Sequence, residues 1–362
     1  MDLPQELICL IVSKAYYRNF PFNTPDYDTL SACSLVNSTW RNPAQTLLFR
    51  RITLEGTPAF ARFADATSNK TLLSNVRSLS IALVQDASGV EECSVSTLVS
   101  ILGHCPQLYE LSVSAHKLFS LNPNDISSIS AAVEAGSISL RSLRLLYCSV
   151  QSPLLYELVG LFPTVEFLTV GVEIAAAPPP MAPALRLYEL SLHRTPPSDV
   201  LQWLLSSSGT SLRILELRDL PSASTCLDIA KCCPGIQSLR FMRYDSHSAA
   251  ILAQCTNLIE LVLLNIPTVM PTLPPSLEHL ALLIQTYTAS VNLQPVIQAL
   301  ESLPRLRLLT FVGDPQGALE ETCEAKNIVL RTISRKFWIN DDPVKATHFP
   351  RRQSVSNFYL MN

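Results

Sequence analysis

The apolar positions of this chain recur as one six-residue phrase: an aliphatic residue, two variable ones, a leucine, one variable residue and a second apolar residue. Ten copies lie between Val76 and Phe311. Their central leucines are Leu79, Leu111, Leu143, Leu168, Leu190, Leu215, Leu239, Leu261, Leu280 and Leu309, and successive centres stand 19 to 32 residues apart. Within a phrase, the leucine and the apolar residue two places later share one side of an extended chain, so each copy predicts a short strand. Between phrases the spacing turns helical. In the unit from Ser198 to Leu217, Val200, Leu201, Leu204 and Leu205 fall on one helical face, with Ser198 expected as N-cap and Gly209 just past the helix end. One such unit cannot bury its own leucines, but ten stacked units can. The pattern therefore predicts an α/β solenoid, a curved parallel sheet with helices on its convex side.

Punctuation fits this period. Pro106, Pro163, Pro234, Pro275 and Pro304 each stand two residues before the first aliphatic residue of a phrase. There proline ends the preceding helix and biases its neighbour toward extended geometry. Residues 171–186 contain Ala175-Ala176-Ala177-Pro178-Pro179-Pro180 and predict an extended connection in place of a helix. Residues 120–138, rich in Ser and Asn, predict a surface insertion in an early repeat.

Residues 2–54 leave the repeat. Leu7, Ile8, Ile11 and Val12 take helical spacing behind Pro4; a second helix is expected from Asp28 through Leu30, Cys33, Leu35 and Val36. A third runs past Trp40 to Phe49, and Ile52–Leu54 is expected to lead into the solenoid as a strand. Between the first two helices lies a polar and aromatic stretch, roughly Lys14 to Tyr27. The expected divisions are 1–54, a helical segment; 55–330, the solenoid; and 331–362, a C-terminal tail or cap. Some fifty residues make a marginal core, so much of the apolar surface of 1–54 has to be covered by the first repeats or by another protein.

Composition narrows the function. The chain has 362 residues, 48% of them apolar and 16% charged, with a net charge of −3. That balance gives no electrostatic reason to expect nucleic acid as a partner. No apolar run reaches the ~18 residues of a membrane helix, and the start Met1-Asp2-Leu3-Pro4 has no signal-peptide character. A cytoplasmic or nuclear protein is expected. The ten cysteines form no Cys-x-x-Cys and suit packing in a reducing compartment. The six histidines hold no i, i+4 pair, and neither phosphate-cradling glycine motifs nor a Gly-x-Ser-x-Gly elbow occurs. No metal, cofactor or catalytic residue is therefore expected, and the chain reads as a non-enzyme.

The strand phrase with its lead-ins Cys105-Pro106-Gln107-Leu108 and Cys233-Pro234-Gly235-Ile236 resembles the leucine-rich repeat family, in a degenerate form that lacks the usual closing asparagine in most copies. The N-terminal segment resembles the F-box in Leu3-Pro4, Glu6-Leu7, Ile11, Leu30, Ser34-Leu35-Val36, Trp40-Arg41 and Phe49. That resemblance implies a three-helix motif docking on a Skp-type adaptor of a cullin-based ubiquitin ligase. Leu3, Pro4, Leu7, Ile8, Leu30, Leu35, Val36 and Trp40 would bear the adaptor contact or the packing beneath it. The implied function is substrate recognition in an SCF-type ligase. The alternatives are helices that merely cap the solenoid, and a repeat scaffold or inhibitor that binds protein outside any ligase.

Alternation also assigns the face opposite the leucines, where a target protein would bind. Its middle is polar and includes Arg144, Glu189, Glu216, Arg218, Arg240 and Met242. Its late part turns aliphatic, with Val262, Leu264, Ala281, Leu283 and Val312. Arg144, Arg218 and Arg240 are expected to steer a target, and Met242, Val262, Leu264 and Leu283 to anchor it. An aliphatic strip of this kind requires a cover, either a partner or the tail, which carries Phe337-Trp338-Ile339, Phe349 and Phe358.

Overall fold

A computed structural model describes residues 3–16, 26–54, Phe63, 70–84, 93–116, 118–135, 138–264, Pro267, 269–283, 292–312 and 316–333. They fall into two compact units, the first running to Val165 and the second starting at Glu166.

The first unit opens with three helices, α1 (Gln5–Lys14), α2 (Tyr27–Val36) and α3 (Ser38–Leu48). Asp26 starts α2 by accepting the Thr29 N–H at 3.1 Å, and Asn37 starts α3 by accepting from Thr39 and Trp40. Each thereby satisfies donors that a helix start leaves open. Four parallel strands follow: β1 (Arg51–Leu54), β2 (Ser78–Leu83), β3 (Glu110–Ala115) and β4 (Ser142–Tyr147). The second unit carries eight more: β5 (Phe167–Val170), β6 (Glu189–Leu192), β7 (Ile214–Leu217), β8 (Ser238–Phe241), β9 (Glu260–Leu263), β10 (His279–Leu282), β11 (Leu308–Val312) and β12 (Val329–Ile333). Each pairs in parallel with its sequence neighbour inside the unit.

Register explains the repeat. In the first unit Leu79, Leu111 and Leu143 are direct partners; in the second Leu168, Leu190, Leu215, Leu239, Leu261, Leu280 and Leu309 form an unbroken ladder. All ten are buried, as are the apolar residues two places on, from Ile81 to Phe311. A one-residue slip would turn this whole set to the opposite face, so the leucines fix the pairing. The α/β solenoid architecture is therefore as expected, and the ladder continues one strand beyond the phrases at each end, through Ile52 of β1 and Leu330 of β12.

Two local expectations need correction, and one strand was not expected. The helix at 198 spans Ser198–Leu205, but its cap position is Pro197 and Ser198 makes no cap bond. The stretch 120–138 is not simply a surface insertion: Pro123–Glu134 is a helix of 12 residues, begun by Asn122 accepting the Asp125 N–H and burying Ile129. The Ser and Asn content reflects capping and an exposed face rather than a lack of structure. Strand β12 had no phrase to announce it. Helix Gln316–Ala325 stops at Asn327, whose φ of 56° is left-handed. There Asn327 N–H bonds Glu324 C=O and Ile328 N–H bonds Cys323 C=O at 2.8 Å, the paired bonds that close a helix and release the chain into a strand. By contrast, no helix stands between β5 and β6, as the alanine–proline run predicts.

Candidate functional site: a protein-docking surface on the N-terminal helices

Helix α1 has two apolar stripes. Ile8 and Val12, one turn apart, point into a small core with Tyr16, Leu30 and Ala44, against which Cys33, Trp40, Leu47 and Leu48 pack. The second stripe, Leu7, Leu10 and Ile11, faces solvent, with Leu7 45% and Leu10 53% exposed, and Leu3, just before the helix, is exposed too. An exposed apolar stripe of this kind is a candidate surface for a protein partner. At the end of α2, Leu35 and Val36 are also open, 78% and 60% exposed. Gln5 of α1 donates its side-chain N–H to the Thr39 carbonyl at 3.2 Å, and Val36 precedes α3 through the single residue Asn37.

The residues expected to contact an adaptor therefore divide by depth. Leu3, Pro4, Leu7, Leu35 and Val36 are exposed and form the surface, while Ile8 and Leu30 are buried and Trp40 is half-buried, packing beneath it. Leu10 and Tyr27 are exposed residues outside the expected set. Leu10 was legible from sequence, since it stands at i+3 from Leu7. The Tyr27 hydroxyl donates to the Arg51 carbonyl at 3.2 Å, tying α2 to β1; burial pushes this phenol up, against the pull of Arg51. Much of the stretch expected to lengthen the α1–α2 connection, residues 17–25, lies outside the described residues.

The face opposite the leucines departs from expectation. Val262, Leu264, Ala281, Leu283 and Val312 form one buried cluster with Met242 packed on it, so this strip is not an open surface of the chain. The expected tail cover, residues 334–362, lies outside the described residues. Arg240, expected to steer a target, is fully buried. Its Nη2 and Nε donate to Oε1 of Glu260 at 2.6 and 3.1 Å, and Ser238 Oγ donates to the same oxygen. His279 completes the group, Nδ1 lying 3.2 Å from the other Glu260 oxygen and Nε2 2.9 Å from Thr310 Oγ1. Burial alone would lower the Arg240 guanidinium, but Glu260, Glu216 and Glu189 outweigh it and hold it above its ordinary value. The sequence pattern put Arg240 on the correct face of β8. It missed that Glu260, diagonally across on β9, would lock the side chain down. Arg218 is held likewise, Nε to Glu216 Oε1 at 2.9 Å with 16% of its side chain exposed. Among the expected steering cations, Arg144 in the first unit is half-buried.

Ten cysteines are free, eight of them buried. Burial pushes the thiols of Cys93 and Cys105 up to about 12 and those of Cys148 and Cys232 to about 11, as expected of packing residues rather than nucleophiles. Among the described residues, no group of three His, Cys, Asp or Glu side chains is placed to hold a metal, and no helix is long and apolar enough to cross a membrane.

No family model matches this chain, and no curated protein matches it. Among solved structures it is similar to a structural-genomics target protein from Bacteroides fragilis. The TM-score is 0.37 at 10% identity, with 64% of this chain and 68% of that one covered, a likeness too distant to carry an argument about function.

Proposed function

We propose that the chain is a non-catalytic substrate-recognition subunit of an SCF-type ubiquitin ligase, acting in the cytoplasm or nucleus. In this reading the N-terminal helices bind a Skp-type adaptor, the solenoid holds a target protein, and other subunits of the cullin complex transfer ubiquitin. The chemistry then needs no residue of this chain, because holding the target near the transfer site supplies the effective concentration. The observation that carries the proposal is the open apolar surface of Leu3, Leu7, Leu10, Ile11, Leu35 and Val36 over a closed core of Ile8, Val12 and Leu30. Leu3, Leu7, Ile11, Leu30, Leu35 and Val36 of this group are residues through which the sequence resembles the F-box.

The test is capture of a purified Skp-type adaptor by the full chain, compared with a Leu7→Asp, Leu35→Asp variant. Both side chains are exposed, so the variant should keep the native circular dichroism. Placing two carboxylates in an apolar interface should weaken capture by at least about a hundredfold, since each anchor is worth about 2 kcal/mol or more. Failure of the native chain to bind the adaptor would leave only the repeat scaffold outside any ligase.

A further inference from the structure

The late face of the second unit is buried, although it belongs to a single chain with no partner on it. Three places past the central leucine, Gly171, His193, Arg218 and Met242 of β5 to β8 are half-buried, whereas Leu264, Leu283 and Val312 of β9 to β11 are buried. One place past the leucine, Ser191, Glu216, Arg240, Val262, Ala281 and Thr310 are buried on all six strands from β6 to β11. Neighbouring strands, about 4.8 Å apart, shield the flanks of such side chains, but covering their tips takes a layer about 10 Å away. The cluster of Val262, Leu264, Ala281, Leu283 and Val312, each at 8% exposure or less, includes no residue of a described helix. The layer therefore comes from this chain, and from outside its described residues.

We infer that residues 334–362 lie across the late face as a tethered occupant, which any other protein seeking that face has to displace. Reach and chemistry select this segment. It follows β12, whose last residue Ile333 pairs in register with Val312 of the buried cluster. From β12 to β6 is six strand spacings, about 30 Å, and a chain of this length extends to about 95 Å. Its apolar residues come first at Phe337-Trp338-Ile339, only four to six places past the strand, then at Phe349 and Phe358-Tyr359-Leu360. Within the second unit the next longest stretch outside the described residues is 284–291. That stretch is held at both ends, by Leu283 after β10 and by Asn292 before helix Gln294–Glu301. Going out and back, it reaches about 14 Å, whereas Ser191 on β6 is four spacings from β10, about 19 Å. A tether also favours the chain's own segment over a separate molecule, since it holds the segment at a millimolar effective concentration.

The experiment places a photoreactive diazirine amino acid at position 242 of the full chain, where Met242 packs on the strip. The chain is irradiated in dilute solution beside an isotope-labelled copy, and the crosslinks are mapped by mass spectrometry. They should fall in 334–362 and within one chain. An absence of crosslinks to 334–362, or crosslinks that join two chains, overturns the assignment. A synthetic peptide of residues 334–362 gives a second reading. It should bind a full chain carrying Phe337→Asp, Trp338→Asp and Ile339→Asp at least about tenfold more tightly than the native chain, whose face is already occupied. Equal affinity for the two chains, or binding to neither, contradicts it. Neither measurement involves the adaptor surface of α1 and α2, so the ligase reading stands or falls separately.

Discussion

Arg240 is the residue whose surroundings decide its role. A guanidinium taken wholly out of water is tolerable only with its charge and donors engaged, and Glu260 supplies the carboxylate at 2.6 Å. Replacing one partner leaves the other buried and uncompensated. Arg240→Ala should therefore cost about 3–5 kcal/mol in urea unfolding, whereas Arg240→Met paired with Glu260→Leu should cost far less or nothing. Equal losses for the single and the paired changes would show that the site depends on packing volume and not on charge. The same contrast marks how far sequence reasoning reaches. Alternation along β8 gave the face of Arg240 correctly, because the strand period of two is local. Its burial depends on Glu260 and His279, brought alongside from strands 20 and 39 residues later, and a linear pattern carries no signal for that encounter.

At the scale of elements, the leucine phrases were legible because each strand carries its own period and its own buried pair. Helix boundaries were less so, since caps depend on one side chain. Helix Ser246–Gln254 starts at Asp245, whose carboxylate accepts the Ser248 N–H at 2.9 Å and the Ser248 hydroxyl at 3.0 Å. Burial tends to raise this carboxyl, but the bonds from Ser248 and the neighbouring His247 prevail and hold it below the usual range. A depressed folded-state value stabilises the native state fully above the unfolded value, about 3.9 for aspartate, and the contribution is lost as pH falls through the folded one. Asp245→Ala should thus cost about 1 kcal/mol near neutral pH, with the difference from the native chain shrinking in acid. A deficit constant down to strongly acidic pH would mean that the cap does not act through its charge. Strand β12 was invisible for a related reason: its entry is set by the left-handed Asn327 and two backbone bonds, and not by a leucine phrase.

At the scale of the whole molecule, a core of repeated leucine ladders carries two kinds of surface. One, the late face of the second unit, is buried: Val262, Leu264, Ala281, Leu283 and Val312 pack together, and Arg240, Glu260 and His279 are bonded to one another. The other is open, and it lies on α1 and α2. Of the eight residues expected there, five form the exposed layer and three the support beneath. The sequence resemblance could name the set but not this division, because Leu7 and Ile8 are adjacent and chemically alike and only packing against residues of α2 and α3 separates them. The most direct test of this account is calorimetric titration of the full chain with a purified Skp-type adaptor. One adaptor per chain should bind with a negative heat-capacity change, the mark of apolar burial, and Leu7→Asp with Leu35→Asp should abolish the heat. Absence of binding by the native chain, or binding indifferent to both substitutions, would contradict the account.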